Sequence, residues 1–142
     1  MILKKGMWFK EIVTNFHLMT GFENPRAQKW LIQSRKNNNP AFALLNAWTE
    51  LEFQIKSYSL KMYRKAVVKS RFMIDECADI LNLTESEISR LFEIRNLRNG
   101  ISHGLVDRSD PNWADVYFLL NIVKNYRIKM NKLSEKITTE EE

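Results

Sequence analysis

Cysteine, histidine, proline and glycine are all scarce in this chain. Cys77 is the single thiol, so no disulfide can close within the sequence. That thiol and two histidines, His17 and His103, are too few soft ligands for a structural zinc site, and no metal or other cofactor is expected. So sparing a use of cysteine fits a reducing compartment, and a cytoplasmic location is expected. No apolar run approaches membrane-spanning length. Behind the lysines of Met1-Ile2-Leu3-Lys4-Lys5-Gly6 there is no long apolar core, so the N-terminus does not read as a signal peptide, and no membrane partner is expected. Three prolines and four glycines leave few breaks, and strand-like alternation of Val, Ile and Thr is absent. Acidic residues are missing from Phe53 to Ile74, although Asp and Glu are plentiful elsewhere.

What is present suits one globular domain of 142 residues, with 44% apolar and 27% charged side chains. A chain of this length buries enough surface to fold without staples. The formal net charge of +5 fits a polyanionic partner without proving one. The acid-free stretch carries Lys56, Lys61, Arg64, Lys65, Lys69 and Arg71, with Tyr58 and Tyr63 between them. It reads either as a solvated helix face or as a surface that tracks phosphates.

Helical spacing runs through almost the whole chain. Phe9, Ile12, Val13, Phe16 and Met19 form the stripe of a first helix, with His17 on its shoulder as a structural or surface residue. A second helix runs from about Asn24-Pro25 to Lys36, with Pro25 suited to the first turn. Asn37-Asn38-Asn39 is a loop, and Pro40 opens a third helix. Its seam is Leu44, Trp48, Leu51, Ile55, Tyr58 and Met62, and a break is expected near Ser57–Lys65. Val67, Ser70, Ile74, Cys77, Ala78 and Leu81 resume the pattern. Thr84-x-x-Glu87 is a capping box for the next helix, which Gly104 can close. Asp110-Pro111 reads as N-cap and first turn of a last helix, whose seam is Val116, Leu119, Val123, Tyr126, Met130, Leu133 and Ile137.

The helix from Thr84 to His103 changes character halfway. On a wheel of about 100° per residue, Ile88, Leu91, Ile94, Leu97 and Ile101 share one apolar sector. Ser89, Glu93, Asn96 and Gly100 fall opposite. Arg98 lies inside the apolar sector, Arg95, Asn99 and Ser102 continue it, and His103 sits at its edge. Polar groups facing inward need partners. Glu52 flanks the seam of the third helix, while Glu50 points away from it. Glu52 is therefore either an exposed acid or the buried counter-ion of Arg95 or Arg98. Asn99 and His103, at i and i+4, can touch; Arg98 and His103, at i and i+5, do not stack. A site using both would gain from a second copy of the helix across a two-fold axis. The plain reading is a histidine favoured by a helix C-terminus and arginines paired with acids on neighbouring helices.

Arg98-Asn99-x-x-x-His103, set in Leu91-Phe92-Glu93-Ile94-Arg95-Asn96-Leu97-Arg98-Asn99 and followed by Gly104 and a long helix, resembles the signature of the HEPN superfamily. Ala47-Trp48-Thr49-Glu50-Leu51-Glu52 is similar to the apolar-plus-Glu pattern of an earlier helix in that family. The resemblance covers about Pro40 to Ile137. The chain is expected to be an all-α bundle of about five to six helices. The resemblance makes 40–137 an HEPN-like helical domain; a helical extension at 1–39 and an acidic tail at 138–142 lie outside it. The resemblance also implies a two-fold dimer with a composite cleft, acting as a metal-independent endoribonuclease. In that chemistry the histidine assists a ribose 2′-hydroxyl to attack the adjacent phosphate, leaving a cyclic phosphate and a 5′-hydroxyl. Carried onto this chain, His103 is general base or acid, Arg98 neutralises transition-state charge, and Asn99 orients one or the other. Arg95, Ser102 and Glu52 support them. The implied partners are RNA, a second copy, and an antitoxin or other regulatory protein, in a toxin or phage-defence setting. One branch of the family carries Tyr two residues after the His; Leu105 stands there, which speaks against that branch and its nucleotidyltransferase partner.

Two other readings compete. One is a non-catalytic HEPN binding or scaffold module. The other is a helix-turn-helix DNA-binding protein, because Ala78-x-x-Leu81-Asn82-Leu83-Thr84-x-x-x-Ile88-Ser89-Arg90 has about the right offsets. Glu85, Ser86, Ser89 and Arg90 would then face the major groove. That reading gives no reason for the Arg/His cluster three turns further on.

Overall fold

The computed structural model describes residues 25–63, 70–104 and 111–141. Within them the chain forms five helices and no strand: α1 (Pro25–Lys36), α2 (Pro40–Tyr63), α3 (Ser70–Leu81), α4 (Glu85–Ser102) and α5 (Trp113–Glu141). The expected helix over Phe9–Met19, with His17, lies outside the described residues, as do Arg64, Lys65, Lys69, Leu105 and Asp110. α2 continues unbroken to Tyr63, through the first part of the region where a break was expected.

The corners follow from asparagines. At the end of α1, Asn38 adopts φ 51°, a left-handed conformation that asparagine tolerates better than most residues. Asn38 N–H then donates to the Arg35 carbonyl and Asn39 N–H to that of Ser34, a Schellman closure. Asn39 also caps α2, its Oδ1 accepting from Phe42 N–H at 3.1 Å, with Pro40 in the first turn. The α3–α4 corner repeats the device. Asn82 has φ 51°, and Leu83 N–H reaches back to the Ala78 carbonyl. The expected capping box on Thr84 and Glu87 is complete, each side chain accepting from the other residue's backbone N–H. The start of α5 differs from expectation. Asn112, not Asp110, closes a reciprocal box with Asp115, and Pro111 sits buried ahead of it rather than in the first turn. A side chain that satisfies the first free N–H groups defines the cap better than the proline does.

Contacts fix the directions. Asn38, just ahead of α2, meets Trp113 at the start of α5, and Tyr58 meets Asn131 and Tyr126 further along both helices. α2 and α5 therefore run in the same sense. Arg90, early in α4, reaches Ala114 and Asp115 at the start of α5, while Arg98 reaches Glu52 in the middle of α2. α4 thus runs with them, and α1 runs back against α2.

The core is continuous. Leu44, Trp48, Leu51 and Ile55 of α2 pack with Met73, Ile74 and Cys77 of α3, Leu91 and Ile94 of α4, and Val116, Leu119, Val123, Tyr126 and Met130 of α5. Ala27 and Leu31 of α1 join the same cluster, so the helix placed by sequence in an N-terminal extension shares this core. α2 is enclosed on more than one side, which explains one correction: Glu50, expected to point away, is 3% exposed, and its Oε1 accepts from Gln54 Nε2. Cys77 is fully enclosed; burial, helped by the nearby Glu76 charge, pushes its thiol pKa up to about 12. No helix among the described residues is long and apolar enough to cross a membrane.

Candidate functional site

Arg98 reaches toward α2 but stays half-buried, less enclosed than a place inside the apolar sector predicts. Its Nη2 stands 3.7 Å from Glu52 Oε1 on α2, and its Nη1 donates to Asn99 Oδ1 at 3.1 Å. Glu52 also holds Lys56, at 3.9 Å. Lys56, Glu52, Arg98 and Asn99 thus form one polar chain across the α2–α4 contact. Glu52 falls between its two readings, beside Arg98 as a counter-ion but not buried. The pair is half-buried rather than sealed, with side-chain exposures of 34% for Arg98 and 22% for Glu52. The guanidinium therefore keeps access to solvent beside the carboxylate.

His103 ends α4. Its N–H donates to the Asn99 carbonyl at 3.1 Å, and Gly104, at φ +68°, turns the chain with its N–H on the Ile101 carbonyl. No side chain stands near the place a Cβ would occupy on Gly104, so only the backbone conformation calls for glycine there. The His103 and Ser102 side chains are exposed, and Arg95 and Asn99 are half-buried. No hydrogen bond joins the His103 imidazole to Arg98 or Asn99 among the described residues. Arg98 commits to α2 while His103 faces solvent, so one chain alone does not gather both groups around a reacting phosphate.

The basic stretch is only partly placed. Because α2 and α4 run together from the Glu52–Arg98 contact, Lys56 and His103 each lie about 6–8 Å beyond it toward the same end. Lys56 is engaged by Glu52, Lys61 is exposed, and the backbone of Arg71 falls in the first turn of α3. Among the described residues no group of three or more His, Cys, Asp or Glu side chains could hold a metal ion.

A second polar cluster was not foreseen. The Arg35 guanidinium lies 4.6 Å over the Trp113 ring, and the Trp113 indole N–H donates to Asn38 Oδ1 at 2.8 Å. Tyr117 stands next to Trp113, with ring centroids 6.1 Å apart. Arg90 lies 4.5 Å over Phe118, donates to the Ala114 carbonyl and pairs with Asp115 at 3.8 Å. The available signal was the i, i+4 spacing of Trp113 and Tyr117 in the first turns of a helix. Arg90 is thus engaged with the start of α5 while its side chain stays 41% exposed. The chain matches no protein-family model, no curated protein and no solved structure.

Proposed function

We propose that this protein is a metal-independent endoribonuclease of HEPN type that works as a two-fold dimer. The observation that carries the reading is Arg98, a half-buried arginine in contact with Glu52 and Asn99, set five residues before an exposed histidine at the end of its helix. A guanidinium held in one orientation presents a planar fork to a phosphate, and its charge offsets the extra negative charge of a five-coordinate phosphorus. An exposed imidazole can take a proton from a ribose 2′-hydroxyl or give one to the leaving 5′-oxygen. The cyclic phosphate and the free 5′-hydroxyl balance that transfer, and no metal enters it.

A second copy supplies what one chain leaves apart. α2 leaves Phe42, Phe53 and Leu60 40%, 51% and 56% exposed, at spacings that keep them on one helical face beside Glu52. Pairing across that face would bring two Arg98–Glu52 contacts close to one axis. By analogy with the family, the biological role is that of a toxin or phage-defence effector, restrained by an antitoxin or other regulatory protein. The test is incubation of the purified chain with structured RNA in EDTA. Fragments ending in cyclic phosphate and 5′-hydroxyl are expected. A stable dimer that binds RNA and leaves it intact would instead favour the non-catalytic HEPN module.

A further inference from the structure

The Arg35–Trp113 and Arg90–Phe118 cluster has no part in the chemistry proposed above, and it stands at the other end of the bundle. Arg90 and His103 are thirteen residues apart on one helix, so the cluster lies on the order of 20 Å from the candidate site. The first two turns of α5 are held there between the last turn of α1 and the first half of α4. On each side an arginine stands over an aromatic ring, its Cζ 4.6 and 4.5 Å from the ring centroid. Trp113, Tyr117 and Phe118 are half-buried, the Arg90 side chain keeps 41% of its surface, and Lys36 and Asn38 beside them are exposed.

Trp113, Tyr117 and Phe118 pack against the core and keep part of their surface outside it, beside the two guanidinium groups. Flat cations and half-open rings are what an unpaired base requires. Its π face stacks on an aromatic ring or on a guanidinium plane, and its phosphate stays near positive charge. Here the arginines are already engaged: Arg35 rests on a ring whose N–H is itself tied to Asn38, and Arg90 meets a carbonyl and a carboxylate as well. Surfaces ordered before binding lose less entropy when they bind.

We infer that the Arg35–Trp113–Tyr117 surface is a stacking platform for unpaired RNA bases, which holds a single-stranded segment a few nucleotides away from the phosphate at the Arg98–His103 site. The inference rests on the RNA reading of the previous subsection and makes that reading specific: the substrate is single-stranded on at least one side of the cut.

The test measures binding in EDTA, using the full chain with His103→Ala so that bound RNA is not consumed, and a fluorescent ten-nucleotide single-stranded RNA. Added to that background, Tyr117→Ala should weaken binding by about 5- to 150-fold, the usual loss for one stacked base, without altering the salt slope. Tyr117→Phe, which keeps the ring, should bind like the parent. Arg35→Ala should weaken binding and lower the salt slope by about one counterion, and Arg35→Lys should restore the slope but not the affinity. Circular dichroism verifies that each variant is folded. If Tyr117→Ala and Arg35→Ala bind like the parent while the wild type still cuts RNA, the platform is wrong and the nuclease reading survives. If the platform variants lose binding while the wild type cuts nothing, the platform stands and the nuclease reading falls. If the parent binds a fully paired duplex as tightly as the single strand, the stacking assignment is wrong.

Discussion

Arg98 and His103 occupy different surroundings, and their substitutions should separate accordingly. His103 is exposed and supports nothing else, so His103→Ala should lower RNA cleavage by ~10²–10⁴-fold while leaving thermal unfolding and dimerisation unchanged. Quantified fragments and a melting curve measure both. Full activity in His103→Ala would show that another site does the cutting. Arg98→Ala should also lose activity, and Arg98→Lys should not rescue it, because a point charge does not reproduce the planar fork. The partly exposed Glu52–Arg98 pair contributes little to stability, so Glu52→Gln should cost no more than about 1 kcal/mol by urea denaturation. A larger loss in activity than in stability would mark Glu52 as holding Arg98 for the reaction. Glu76 gives a prediction of a different kind. Burial, and then the neighbouring Asp79 charge, raise its pKa above the ordinary glutamate value. A raised acid favours folding while protonated, and that contribution disappears as pH rises through the folded pKa. Glu76→Gln should therefore stabilise the protein at pH 7 relative to wild type. The difference should vanish below the ordinary glutamate range, as melting temperatures across a pH series would reveal.

At the scale of helices, the caps carry both the boundaries and much of the sequence's legibility. Thr84→Ala removes one half of a reciprocal box and should cost about 1 kcal/mol, read as a shift in the urea midpoint at constant slope. Asn82→Gly should be tolerated and Asn82→Ala should destabilise, because only the former is at ease at φ 51°. The Thr84 box, the Pro40 start and the Gly104 stop were readable because each is a short local pattern. The start of α5 was misread because two caps compete within a few residues, and the winner depends on which side chain reaches the free N–H groups. The seam of α2 was readable from its three-four spacing, but the burial of Glu50 was not. Periodicity shows the most apolar face of a helix; how many neighbours surround that helix is decided elsewhere in the chain. The wheel placed Arg98 on the side of α4 that meets α2, but not the 34% of its side chain left exposed. Its choice of Glu52 became definite only once the relative direction of α2 and α4 was known.

For the whole molecule, the shared direction of α2, α4 and α5 decides what lies at each end. One end gathers Lys61, Lys56 and the His103 terminus; the other gathers the arginine–aromatic cluster. Nothing in the one-dimensional pattern revealed this, because a helix of either polarity buries the same stripe. Association is the property to measure at this scale. Light scattering at micromolar concentration should give about twice the 16.9 kDa chain mass, and Phe53→Lys on the exposed face of α2 should shift it toward the monomer. A wild type that stays monomeric at high concentration removes the composite site. Reversing Lys61 to Glu, together with Arg64 and Lys65, should weaken RNA binding and flatten its salt dependence.

The buried Cys77 gives the molecule an internal clock. A thiol with no exposed surface and a pKa pushed to about 12 meets neither solvent nor reagent while the core is closed. A thiol dye added under native conditions can therefore react only with chains that have opened, and the labelling rate reports how often α3 leaves the bundle. Being the single cysteine, it reports this from one known position without any engineered label. Adding RNA or raising the protein concentration should slow that clock in proportion to how far each closes the fold.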